Sequence, residues 1–183
     1  MDFSWVKQLA DQANQAELAR QERDRRDRED KRLVALATVP FVEKLYLLIN
    51  TCTDEFNKHC MFPNLRVMTS RLYKRQKTSD LPESEPEEVA YFTFSRRGYM
   101  YGIRGVNGVV DFVEFPVTDG SGSLTLRLDE LGVEPSRKFI AEMEREGRKV
   151  TWKMDGCVLD GPMIISVCQH YFSEFIGRTN EQF

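Results

Sequence analysis

The chain has 183 residues, 41% of them hydrophobic and 30% charged, with a net charge of −3. That length suits one domain of ordinary size plus an extension, and so small a net charge excludes strong global steering toward nucleic acid or membrane. Cys52, Cys60, Cys157 and Cys168 are too few for a disulfide scaffold in a chain this long, so they are expected to be free thiols in a reducing, cytoplasmic setting.

The opening residues Met-Asp-Phe-Ser-Trp-Val lack a basic region followed by an apolar core, which predicts no signal peptide. Val6, Leu9, Ala13 and Ala16 recur at three- and four-residue spacing, and Phe3 and Trp5 add aromatic weight before them. This is a helix with one apolar stripe. From Arg20 to Arg32 no residue is apolar, a composition that suits disorder. The charge order argues the other way. Arg20–Asp24, Glu22–Arg26, Arg23–Asp27, Asp24–Arg28, Arg25–Glu29, Arg26–Asp30 and Asp27–Lys31 are opposite charges four residues apart. At about 0.2–0.5 kcal/mol for each pair, such a ladder supports a solvated helix.

Thr38-Val39-Pro40 is expected to interrupt that helix, because an interior proline removes a hydrogen bond and crowds the preceding turn. The predicted division is a charged helical arm over 1–38 and an α+β domain over 39–183. A second helix is expected from Pro40 to His59, with Phe41, Leu45, Leu48, Ile49, Cys52, Phe56 and Cys60 facing the core. Leu33 to Ile49 is the most apolar window, but Pro40, Glu43 and Lys44 fall inside it. It reads as a core segment, with no membrane insertion.

Strands follow. Leu65–Tyr73 is a candidate, and Val89–Ser95 alternates with Ala90, Phe92 and Phe94 on one face. Tyr99–Arg104 and Val109–Val117 flank Asn107-Gly108, the dipeptide that suits a two-residue type I′ hairpin turn. After a turn at Asp119–Gly122, Leu124, Leu126 and Leu128 alternate as a further strand. Pro135 is expected to open a short helix with Phe139, Ile140 and Met143 inward, ended by Gly147. Lys149–Met154 reads as a strand. Asp160-Gly161-Pro162 starts a last helix that Gly177 should stop, with Ser166, Gln169, His170 and Ser173 on its wet face. The fold class is therefore α+β: an antiparallel β-meander sheet with helices packed on one face, preceded by a long charged N-terminal helix.

Three features bear on function. At about 1.5 Å per residue, the N-terminal helix outreaches a small domain. Its stripe of Phe3, Trp5, Val6, Leu9 and Ala13 is therefore expected to bind a protein partner or a second copy of the chain. Next, Lys58, Arg66, Arg71, Lys74, Arg75 and Lys77 occur with no acid among them, and Asp80, Glu83, Glu85, Glu87 and Glu88 follow with no base. This reads as a charged edge strand and an acidic loop. The alternative is a nucleic-acid or polyanion site on Arg66, Arg71, Lys74, Arg75, Arg96 and Arg97. Third, Arg97–Ile103 resembles, over seven residues, an RNA-binding strand of the RNA-recognition motif. Met100 and Arg104 depart from that pattern, and the element order is a meander, so the segment reads as a half-buried hairpin.

Catalysis has little support. His59 beside Cys60 and His170 near Cys168 are one and two positions apart on helices, so their side chains diverge. Cys157 is the best nucleophile candidate by loop position, but a buried structural role is expected for it. Cys52, His59, Cys60 and Cys157 lack metal-ligand spacing. No phosphate-binding, dinucleotide-binding or nucleophile-elbow motif is present, so no cofactor or metal is expected. The expectation is a non-enzymatic assembly protein.

Overall fold

The computed structural model describes residues 3–77, 87–115, 137–144 and 146–181. The predicted turn at Asp119–Gly122, the strand at Leu124–Leu128, Pro135 and the acidic residues Asp80, Glu83 and Glu85 lie outside them. The chain divides into two compact units, Met1–Leu33 and Val34–Phe183.

In the first unit, helix α1 (Ser4–His59) begins with the Phe3 carbonyl accepting the amides of Val6 and Lys7. The charged stretch is helical, as its charge order implies. Glu22 takes Arg26 at 2.9 Å and Arg25 at 3.0 Å, and Glu17 takes Arg20 at 3.1 Å. The two arginines hold the Glu22 carboxyl down at about 2.

The helix does not break at Thr38-Val39-Pro40; α1 is continuous through Pro40. The physical reason lies around the proline. Pro40 is exposed, so the carbonyl that loses its partner can meet water, while Thr38, Phe41, Val42, Leu45 and Ile49 are buried on the other side. Each fully buried apolar side chain stabilises by about 1.5–3 kcal/mol, and together these exceed the proline's cost of about 3 kcal/mol. Phe41, Val42, Leu45 and Ile49 of α1 are core positions of the Val34–Phe183 unit.

A 3₁₀ turn (Pro63–Leu65) leads to β1 (Met68–Thr69) and β2 (Tyr73–Lys77). Then come β3 (Glu87–Arg96), β4 (Tyr99–Val106), β5 (Val109–Phe115), β6 (Arg137–Glu144), β7 (Lys149–Met154), β8 (Cys157–Val158) and α2 (Gly161–Glu181). The strands pair antiparallel in the order β1-β3-β4-β5-β6-β7-β8, with β2 also on β3. This is the expected meander. Asn107 and Gly108 have φ of 46° and 82°, the left-handed pair that a type I′ turn requires. Arg97-Gly98 and Asp155-Gly156 repeat the pattern.

One face of the sheet carries Ala90, Phe92, Phe94, Tyr101, Ile103, Val110, Phe112 and Phe139, all buried against the helices. Phe92 pairs with Ile103, Phe94 with Tyr101 and Ile103 with Phe112, so the aromatic and branched positions share one side. Phe41 of α1 stacks on Trp152 at 3.9 Å. From α2, Tyr171 and Phe175 close on Phe94, Tyr101 and Phe112. Gly105 sits under α1, where a Cβ would lie 2.5 Å from a Val42 methyl. Beside it, the Thr38 hydroxyl accepts the Gly108 amide at 2.7 Å and donates to the Val34 carbonyl.

Three further elements differ from the sequence expectation. In place of one strand over Leu65–Tyr73, Leu65 ends the 3₁₀ turn and two short strands, β1 (Met68–Thr69) and β2 (Tyr73–Lys77), pair with β3. Residues 137–144 form a strand, not a helix. Phe139 and Ala141 are buried with Met143 on the same side, while Lys138, Ile140, Glu142 and Glu144 are exposed. The segment bridges β5 and β7, and those two ladders of hydrogen bonds override a pattern that also fits helical spacing. Nor does Gly177 end α2, which runs to Glu181 with Thr179 fully buried. Contacts from Arg96 to Thr179 and Asn180 hold the last turn and outweigh glycine's penalty of about 1 kcal/mol. The start of α2 follows expectation, with Asp160 as N-cap accepting the Met163 amide at 2.8 Å.

Candidate functional site

The N-terminal stripe lies wholly at the surface. Phe3, Trp5, Val6 and Leu9 are 63%, 59%, 44% and 55% exposed, and Ala13 is exposed as well. Trp5, Val6, Leu9 and Ala13 fall on one side of α1 by their three- and four-residue spacing.

The six basic residues do not form one free surface. Arg66 and Arg71 are exposed. Lys74 is held by Glu43 of α1. Arg75 lies in β2, with its side chain outside the described atoms. Arg97 donates to the Thr179 carbonyl at 3.4 Å. Arg96 is internal, at 4% exposure. Its guanidinium donates to the Leu65 carbonyl at 2.7 Å, to Thr179 Oγ1 at 2.5 Å and to Asn180 Oδ1 at 2.8 Å, and lies over the Phe56 ring at 5.4 Å. Sequence position at a hairpin turn did not reveal this, because the strand's alternation places Arg96 on the same side as Phe94 and Phe92. The hairpin that resembles an RNA-binding strand likewise turns Tyr101 inward, where it is 1% exposed.

A feature that the sequence did not announce is a cleft of about 570 Å³ at the end of α1. Cys52, Glu55, Phe56, His59 and Cys60 of α1 and its following residue form one wall, and Gln169, Phe172 and Ser173 of α2 form the other. Phe56 and Phe172 meet edge-to-face at 6.1 Å. Glu55 accepts from Lys58 at 2.8 Å and lies 3.3 Å from His59, and these neighbours keep its carboxyl below the ordinary range. The loop from Cys60 to Val67 borders this cleft. Its Met61 and Phe62 are exposed at 87% and 60%. Helical spacing in α1 already placed Cys52, Phe56 and Cys60 on one side; only the packing of α2 made that side a cleft.

Two of the thiols, Cys52 and Cys168, are poorly suited to nucleophilic work. Burial raises Cys52 and pushes Cys168 up to about 12, opposite to the depression that activates a thiolate. Cys157 is exposed in β8, which corrects the expectation of a buried residue. Among the described strands, the two-residue β8 ends the sheet order, paired with β7 on one side. His59 and His170 are both exposed. Among the described residues, no three His, Cys, Asp or Glu side chains converge as metal ligands, so Cys52, His59, Cys60 and Cys157 do not assemble a zinc site. No protein-family model matches the chain, and neither does any curated protein or solved structure.

Proposed function

We propose that the protein is a non-enzymatic, cytoplasmic assembly protein whose N-terminal helix is its contact surface. The observation that carries this reading is the stripe of Phe3, just before α1, and Trp5, Val6 and Leu9 in its first turns, four large apolar side chains all in solvent. Aromatic anchors of this kind dominate the energetics of helix-in-groove recognition. The partner is a protein, either another copy of this chain or a different one. The raised thiols of Cys52 and Cys168 weigh against those two residues as nucleophiles. The polyanion reading ranks second, because Lys74, Arg96 and Arg97 are already engaged with groups of the protein itself.

The test is light scattering on the full chain beside Trp5→Glu/Leu9→Glu. Both positions are exposed, so the variant folds. The expected result is an assembled wild type and a variant whose mass falls to that of a monomer. A wild type that is monomeric and captures no protein through the stripe refutes the reading.

A further inference from the structure

We infer that the charge-paired segment Glu17–Arg32 is a conformational coupling, which carries helical order from the packed turns of α1 out to the N-terminal stripe at low ionic strength and releases it at high ionic strength. This goes beyond the assembly reading and does not depend on it, because it concerns whether the stripe is helical and not what the stripe meets.

Two parts of α1 are held by different physics. Between Thr38 and Thr53 the helix buries Phe41, Val42, Leu45 and Ile49, and packing fixes its backbone. In the unit Met1–Leu33, α1 is the sole described element, and none of the described residues there is buried. What holds these turns is local: backbone hydrogen bonds and the side chains one turn away. A helix over Trp5–Ala16 alone has about the length, 12–15 residues, at which an isolated helix is marginal, because its first turn must be nucleated with a factor of about 10⁻³. Extending turns that already exist avoids that nucleation. The route from the packed turns to the stripe runs through Glu17–Arg32.

Glu22 is the centre of that route. Its Oε1 accepts Arg26 Nε at 2.9 Å and Arg25 Nη2 at 3.0 Å, and its Oε2 accepts Arg25 Nε at 3.0 Å. The two guanidinium groups keep its carboxyl at about 2. One turn earlier, Glu17 accepts from Arg20 and Gln21, each at 3.1 Å. The acids also offset like charges, since Arg23–Arg26 and Arg25–Arg28 are neighbours on the helix surface. Screening acts at these distances. The Debye length shrinks from about 30 Å at 0.01 M salt to about 3 Å at 1 M, the contact distance of the pairs themselves. A packed turn is insulated from this. Glu55 takes Lys58 at 2.8 Å in the same helix, but Phe56 beside it packs against the core. Like ion pairs thus have unlike consequences in the two parts of α1.

The experiment follows Cα chemical shifts residue by residue in the full chain carrying Trp5→Glu/Leu9→Glu, so that no contact made by the stripe contributes. Glu22→Gln keeps the length and helix propensity of the side chain and removes its charge. Losing its two pairs should raise the ratio of open to helical backbone about two- to fivefold. The rise should extend to Ala10–Ala16, more than one turn from position 22. Glu55→Gln, the same change at a packed turn, should leave the shifts of that turn in place. Raising salt from about 0.01 M to 1 M should open Ala10–Ala16 by a similar factor, and by less once Glu22→Gln is present. An effect of Glu22→Gln confined to its own turn overturns the inference, as does a stripe whose helicity is indifferent to salt or rises with it. Light scattering on the unsubstituted chain decides the assembly reading separately, so the two can fail apart.

Discussion

Replacing Gly105 with alanine tests how α1 lies on the sheet. An added Cβ would sit 2.5 Å from Val42 Cγ2, 2.8 Å from Thr38 Cγ2 and 3.2 Å from Val110 Cγ2. Both of the nearest methyls belong to β-branched residues on a helix, where χ1 has little freedom, so neither can swing aside. Overpacking of this kind costs about 1–3 kcal/mol. Against it stands a gain of about 0.5–1 kcal/mol, because alanine has less freedom to lose than glycine on folding. Steric cost wins, and the net destabilisation should be about 1–2 kcal/mol. Val42→Ala removes the closest methyl and, alone, costs about 2 kcal/mol in lost burial. In the double variant the new Cβ occupies the vacated space, so the combined cost should fall short of the sum by at least about 1 kcal/mol. Urea unfolding followed by circular dichroism reads this directly: with a slope of about 2 kcal/mol/M, Gly105→Ala shifts the midpoint by about 0.5–1 M. An unchanged midpoint, or strictly additive losses, would refute the close approach of α1 to β4.

Other contacts are open to equally direct tests. Arg96→Met strips hydrogen bonds from the Leu65 carbonyl, Thr179 and Asn180 and should cost about 1.5–3 kcal/mol in chemical denaturation; Arg96→Lys should rescue little, since one ammonium cannot reproduce the fork. Carbon-detected NMR titration should find Glu22 ionising at about 2 against an ordinary 4.5. A depressed carboxyl favours the helix above its unfolded pKa and loses that support as pH falls from about 4.5 toward 2, and alanine at Arg25 and Arg26 should move the titration back up. A thiol reagent at neutral pH should modify exposed Cys157 first and leave Cys168 untouched until denaturant is added, because burial pushes that thiol up to about 12. Early labelling of Cys168 would contradict the packing of α2.

Local rules were enough for part of this protein. The charge order of residues 17–32 specifies a solvated helix because its favourable pairs are neighbours in sequence. Asn107-Gly108 specifies its turn because few other pairs tolerate two positive φ values. The alternation of Ala90, Phe92 and Phe94 specifies the buried face of β3 because side-chain direction in a strand has a period of two. Tertiary structure decided the rest. Pro40 stays within α1 because the residues around it bury enough apolar surface to offset its cost. Phe139 belongs to a strand because β5 and β7 flank it on both sides, and the sequence alone fits either period. Arg96 becomes an internal clamp because Leu65, Thr179 and Asn180, distant in sequence, supply its acceptors. The cleft against Phe56 exists only once α2 lies beside α1, since a concave surface belongs to a pair of elements and to neither one alone.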